Sequence, residues 1–390
     1  MPEKKEKYST VEIPARHSAR IGRRTALRMT AAAGAAAAMG PWIVRDAFSS
    51  SGNLNIMMWS DYLPKAVLQR FEKTTGIKVR HTPYGSNDEL FNKLKATKGR
   101  NFDLVSPTVS RAGQWKDLAL LQPWDLKKVD IKRIDPKILA KATAAGSWNG
   151  NDYLLPFVWG TEGMAWNTNK WARTPADLSF GDLWLPEMKG QVMARPASMM
   201  TGLGLYLDRI GKLPSNRMMK AYKDEASMRD VWGEIGKFAI KHKPWFKLYW
   251  SDAQGQLSGF TQNGIVLGQV WDGPATRLKG EGFPIAYMAP KEGAIGWIDG
   301  LSIPVGAENI AQAYEFLKFI FTPSHGAAFS NATGYDTCGV GTERHLSKSM
   351  REKRKSIYPG DAFENIWWRP AEPVWYSAIR NEFADRFVAA

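Results

Sequence analysis

Aromatic rings beside carboxylates recur along this 390-residue chain. They are Trp59-Ser60-Asp61-Tyr62, Trp271-Asp272-Gly273, Trp297-Ile298-Asp299-Gly300 and, more loosely, Trp159-Gly160-Thr161-Glu162. A ring face attracts cations and packs against alkyl chains, and a carboxylate fixes an ammonium through charge-assisted hydrogen bonds. Together the two groups make a site for an organic amine. One such pair alone is more often a core tryptophan next to a solvated aspartate. The repetition carries the reading, and so do the 17 tryptophans, a number too large to place on an ordinary surface.

Other chemistries find little support. His17, His81, His242, His325 and His345 stand far apart and outside any H-x-x-x-H or H-E-x-x-H setting. No G-x-S-x-G nucleophile elbow occurs, and Gly202-Leu203-Gly204 lacks the further glycine and preceding strand of a phosphate loop. The single cysteine, Cys338, excludes an intramolecular disulfide, and nothing near it in sequence lowers a thiol pKa. We therefore expect a binding protein rather than an enzyme, with no cofactor, no metal and no catalytic residue.

The elements that must position these residues read as alternating strand and helix. Leu54–Trp59, Lys78–Thr82 and Phe102-Asp103-Leu104-Val105 are predicted strands, with helices over Leu63–Thr75 and Asn87–Lys98 between them. Strands separated by helical patterns imply a parallel sheet covered on both faces. Ligands of such sheets gather at the carboxyl ends of the strands, where Trp59-Ser60-Asp61-Tyr62 stands. Ser147–Val158 reads as a hairpin turning on Asn149-Gly150-Asn151-Asp152. A second series begins at Met164-Ala165-Trp166-Asn167. It continues through a helix starting at Phe180–Leu183, a strand over Gly190–Met193, helices over Thr201–Ile210 and Ser227–Lys241, and a buried strand ending in Trp271. Ile298–Val305 then returns as a strand before an amphipathic helix over Ala311–Phe321. Two α/β lobes crossed more than once by the chain leave a cleft between them.

Of the net charge of +15, residues 1–46 supply +5, nine Lys/Arg against four Asp/Glu. The remaining excess is scattered apart from Arg351-Glu352-Lys353-Arg354-Lys355, which reads as a solvated helix face; no nucleic-acid motif accompanies it. Arg23-Arg24 with Leu27, ahead of the short Ala31–Gly40 run, resembles a twin-arginine export signal, although Ala26 replaces the usual bulky residue. The run is shorter than the ~20 apolar residues a spanning helix requires. We expect residues 1–50 to be a signal and leader, with cleavage between about Gly40 and Gly52, and the mature protein to be periplasmic.

Several stretches together resemble the periplasmic spermidine/putrescine-binding proteins of ABC transporters. They are Trp59-Ser60-Asp61-Tyr62-Leu63-Pro64, Phe71 to Val79, Phe102 to Pro107, Tyr153 to Gly160, Gly268-Gln269-Val270-Trp271, Pro290-Lys291-Glu292-Gly293 to Asp299, and Gly334-Tyr335. The resemblance implies a two-lobed type II periplasmic-binding-protein fold, with 53–156 plus 298–343 as lobe 1 and 157–297 plus 344–390 as lobe 2. It also implies a monomer that closes on a small-molecule amine and delivers it to a membrane ABC permease. By matching positions, Trp59, Tyr62, Trp271, Trp297 and Tyr335 would box an alkyl chain. Asp299 would grip an ammonium, and Ser251 and Thr108 would add hydroxyl contacts.

The chain departs from that pattern where the family carries an acidic pair at the start of a second-lobe helix. Here the text is Ala197-Ser198-Met199-Met200-Thr201, and Ser110 replaces a family tyrosine. Exchanging a charged hydrogen bond for a neutral one forfeits ~1 kcal/mol or more. Asp61, Glu162 or Asp272 supplies the missing charge, or the ligand carries one amine. The alternatives are another small ligand, thiamine-like or amino-acid-like, and an exported enzyme on the same fold.

Overall fold

The structure, a computed structural model, describes residues 52–173 and 177–390, apart from the side chain of Arg354. The expected export signal and leader, residues 1–50, lie outside the described residues. The described residues belong to one compact unit.

The first strand, Asn53–Trp59, is the centre of a three-stranded parallel sheet between Lys78–Tyr84 and Leu104–Val105, with Ile56 opposite Leu104 and His81. Its last four residues are all buried. The helix Lys65–Thr75 packs Val67 and Phe71 inward, with Phe71 edge-on to Phe316 and Phe319 at 5.3 and 5.2 Å. It ends at Gly76, whose φ of 76° suits the left-handed cap that glycine adopts without a Cβ clash. The next helix, Asn87–Thr97, is capped by the Ser86 hydroxyl, which accepts from the Glu89 backbone N–H at 3.1 Å.

The second sheet is mixed. Its spine is the 13-residue strand Leu155–Asn167, every residue of which is buried. Ile295–Leu301 and Leu267–Trp271 flank it, both antiparallel; beyond the latter, Val192–Ala194 and Phe246–Tyr249 continue in parallel. Ser147–Val158 is therefore not one hairpin. Ser147–Trp148 pairs with Asn151–Asp152 around Asn149-Gly150, and Leu155 already belongs to the long strand. Phe180–Trp184 is a single 3₁₀ turn rather than a helix start; Ser179 caps it, and Glu292 accepts from the Ser179 hydroxyl and the Phe180 N–H at 2.7 and 3.0 Å.

Two hydrophobic clusters result. One gathers Leu54, Phe71, Leu104, Phe157, Phe316 and Phe329; the other gathers Met164, Leu203, Trp232, Tyr376 and Phe387. The long strand and Ile295–Leu301 run from one to the other. Lys353 corrects the reading of Arg351–Lys355 as wholly solvated. Its side chain is 1% exposed and lies 2.6 Å from an Asp272 oxygen and 2.9 Å from an Asp336 oxygen; it also donates to the Gly334 carbonyl at 2.7 Å. Burial works against its charge, but the two carboxylates outweigh that and hold its pKa above the ordinary lysine value. Asp272 is thus already neutralised by a lysine and supplies no charge to a ligand.

Candidate ligand-binding cleft

Strand ends deliver the cleft residues. Trp59 closes the first strand and Asp61 and Tyr62 follow it; Thr108 follows the short Leu104–Val105 strand. Across the cleft, the parallel strands Val192–Ala194, Phe246–Tyr249 and Leu267–Trp271 end in Arg195, in Trp250-Ser251 and in Trp271 itself. Asp299 lies on the Ile295–Leu301 strand, beside a register irregularity at Asp299/Gly300. All nine residues singled out in the sequence line one cavity of about 320 Å³: Trp59, Asp61, Tyr62, Thr108, Ser251, Trp271, Trp297, Asp299 and Tyr335. The cavity is of the size that takes a small organic molecule.

The floor is Asp299. The Tyr62 and Thr108 hydroxyls donate to its two oxygens, both at 2.5 Å. Thr108 is held in turn by Asn87, whose side chain accepts from the Thr108 N–H at 2.9 Å and donates to its hydroxyl at 2.8 Å. These bonds favour the ionised carboxylate, yet burial outweighs them and pushes the Asp299 pKa up to about 7. Asp61 is likewise raised by burial, to about 6, with the Tyr335 hydroxyl partly opposing the shift. Burial thus brings both groups toward protonation near neutral pH, and a cation bound beside them would favour their ionised forms.

The walls are rings. Trp59 meets Trp271 edge-on at 5.9 Å, Tyr62 meets Tyr335 at 5.5 Å, and Tyr335 meets Trp297 at 5.4 Å. Two glycines make this closeness possible. A Cβ on Gly273 would fall 2.3 Å from the Tyr335 ring, and one on Gly160 would fall 2.5 Å from the Trp297 ring.

The cavity also holds groups that the sequence reading missed. Arg111 ion-pairs with Asp88 and lies 3.4 Å from Glu372; Arg380 pairs with both Glu372 oxygens at 2.8 and 3.0 Å. The Glu372 N–H donates to the Ser110 carbonyl at 2.7 Å, and Asn381 donates to Asp88 at 3.2 Å. This network joins the C-terminal helix Tyr376–Ala389, packed in the second cluster, to the Asn87–Thr97 helix of the first. Arg195 and Arg369 also line the cavity. Arg195 was legible, since the strand-end rule that selected Trp59 and Trp271 applies to it equally. The distant partners Glu372 and Arg380 left no local signal.

Glu162 lines the cavity, buried, and accepts from the Gln269 amide at 2.7 Å. Ser198 lines it too; its hydroxyl accepts from Arg369 at 3.1 Å. Thr201 turns its hydroxyl back to the Ala197 carbonyl at 3.3 Å and is not among the lining residues. Cys338 is fully buried, and burial pushes its thiol well above the ordinary range. Among the described residues no cluster of His, Cys, Asp and Glu is arranged to hold a metal ion, and no helix is long and apolar enough to cross a membrane.

Residues 66–339 match the model of the family described as bacterial extracellular solute-binding protein. The chain is 28% identical over 318 residues to the spermidine/putrescine-binding periplasmic protein of Escherichia coli, covering 80% of this chain and 84% of that one. It is 27% identical over 316 residues to the putrescine-binding periplasmic protein PotF of the same organism, covering 78% and 83%. Among solved structures, a putative spermidine/putrescine ABC transporter from Listeria monocytogenes superposes with a TM-score of 0.72 at 24% identity, over 87% of this chain and 99% of that one. The chain therefore belongs to the bacterial extracellular solute-binding proteins, built on the two-lobed type II periplasmic-binding-protein fold.

Proposed function

We propose that this protein captures a polyamine or a related organic cation in the periplasm and delivers it to a membrane ABC permease. The observation that carries the reading is the buried Asp299 carboxylate, fixed by Tyr62 and Thr108 at the floor of a cavity walled by Trp59, Trp271, Trp297 and Tyr335. An ammonium lands on Asp299 with Asp61 beside it, while the methylenes lie between the rings, which accept alkyl chains and cations alike. Ser251 adds a hydroxyl at the mouth.

In this reading lobe 1 comprises 53–156 and 298–343, and lobe 2 comprises 157–297 and 344–390. The lobes hinge on Leu155–Asn167 and Ile295–Leu301, and the Asp88–Arg111–Glu372–Arg380 network closes the cleft over its occupant. The protein acts as a monomer, and Arg23-Arg24 directs it to the twin-arginine pathway. Relatives named for spermidine and putrescine support the amine class.

A thermal-shift screen with putrescine, spermidine, agmatine, choline and thiamine tests the proposal. A ligand that binds only the folded state at one hundred times its Kd adds about 2.7 kcal/mol. We expect at least one primary amine to raise Tm by several degrees. No shift with any amine would overturn the reading.

A further inference from the structure

Carboxylates and guanidiniums line different walls of the cavity: Asp299 is held by Tyr62 and Thr108, whereas Arg195 lies against Trp250 and Trp271 and Arg369 reaches Ser198. Four arginines line the cavity, and two of them are engaged by protein carboxylates: Arg111 by Asp88 and Glu372, Arg380 by Glu372. Arg369 reaches only the neutral Ser198 hydroxyl at 3.1 Å and stands 3.8 Å from Glu162, whose other oxygen is already taken by Gln269. Arg195 has no ion pair with any carboxylate of the described residues. Its guanidinium lies against the Trp250 and Trp271 rings, 6.0 and 5.7 Å from their centroids.

Two guanidiniums thus line the cavity, with Glu162 3.8 Å from one of them. Among the described residues Arg195 has no ion pair and Arg369 only a long one, so both guanidiniums are available to an anionic group of a ligand. Desolvation lowers the Arg195 pKa to about 10, which still leaves it charged at neutral pH. Arg195 also immediately precedes the 14-residue helix Pro196–Arg209, and Pro196, Ala197 and Ser198 of its first turn line the same cavity. The partial positive charge of a helix start adds to that of the two arginines.

Arg195 and Asp299 are joined by a relay of rings. Arg195 rests on Trp271, Trp271 meets Trp59 at 5.9 Å, Trp59 meets Tyr62 at 6.5 Å, and Tyr62 donates to Asp299. A ligand complementary to this cavity is cationic at one end, anionic at the other and apolar between.

We propose that the ligand is an ω-amino carboxylic acid: its ammonium sits on Asp299 and Asp61, its methylene chain between the rings, and its carboxylate on Arg195 and Arg369. The assignment rests on the preceding reading for its amine end and replaces the second ammonium of a polyamine by a carboxylate. It places the selectivity of the cleft on Arg195, because a guanidinium repels the second ammonium of a diamine and pairs with a carboxylate.

Calorimetric titration of the full-length chain separates the possibilities. The probes are 4-aminobutanoate, 5-aminopentanoate and 6-aminohexanoate, the diamines of four to six carbons, and the corresponding monoamines. We expect the best amino acid to bind at least tenfold more tightly than the diamine and the monoamine of equal length. Arg195→Gln should cost the amino acid at least tenfold and leave the monoamine within about threefold, while Arg195→Lys should recover part of the loss. Arg369→Gln is the second variant, expected to act in the same direction, and thermal melts of the ligand-free variants establish folding. Diamines binding more tightly than every amino acid would overturn this assignment while leaving the amine reading intact. No binding by any amine would overturn both.

Discussion

Asp299→Asn is expected to weaken amine binding roughly 100-fold, about 3 kcal/mol, because it removes the anion from a buried ion pair and leaves the ammonium facing a neutral amide. The floor of the cleft makes the effect specific. Tyr62 and Thr108 each donate a hydrogen to Asp299 and position its oxygens without neutralising them. An asparagine keeps the shape and one acceptor oxygen, and either hydroxyl can turn to accept from the new amide. The ligand-free fold should therefore change by no more than about 1 kcal/mol, the usual size of one neutral hydrogen bond. Burial of the Asp299 charge, the cause of its raised pKa, also disappears in the variant. Calorimetry for affinity and a urea melt for stability check the two halves. An unchanged Kd contradicts the role of Asp299, and a large loss of stability would show it to be structural.

Lys353→Met carries the largest expected effect on folding. The Lys353 ammonium lies between Asp272 and Asp336 and reaches the Gly334 carbonyl as well. Removing it strands buried carboxylates, and breaking a buried pair from one side costs about 3–5 kcal/mol. The site lies directly behind the ligand walls, since Gly334 precedes Tyr335 and Asp272 follows Trp271. Loss of the lysine should therefore loosen two rings of the box as well as the fold. Urea denaturation should show the drop, and adding Asp272→Asn should restore part of it, because removing both partners costs less than removing one. A Lys353→Met midpoint equal to wild type contradicts the account.

What the sequence revealed and what it concealed divide along physical lines. Trp59, Trp271 and Asp299 were legible because each sits at or beside a recognisable strand, and the rings and carboxylates that bind amines are adjacent in the text. In the sequence the Leu155–Asn167 strand reads as two pieces because Pro156, Gly160 and Gly163 punctuate it. In the fold Gly160 answers instead to the Trp297 ring, which leaves no space for a Cβ. Lys353 was concealed by its four charged neighbours, since a charge run says nothing about which single member turns inward. Asp272 looked available for a ligand until Lys353, 81 positions later, proved to occupy it. The Arg111–Glu372–Arg380 network depends on residues far apart in sequence and leaves no periodicity to detect.

The central claim is that a cation lands on the Asp299 carboxylate. Burial pushes the Asp299 pKa up to about 7 and that of Asp61 to about 6, so near pH 6.5 part of the population carries protons that a bound cation would displace. A cation favours the charged carboxylates and lowers both pKa values, so binding releases protons at pH 6.5 and almost none at pH 8.5, where both groups are already ionised. Affinity should accordingly fall as the pH drops through 7 and then 6. Calorimetric titration of the best amine of the ligand screens, repeated in buffers of different ionisation enthalpy, reads this release directly. The account predicts a buffer-dependent heat at pH 6.5 that disappears at pH 8.5 and shrinks in Asp299→Asn. A binding heat independent of buffer at pH 6.5 would contradict it.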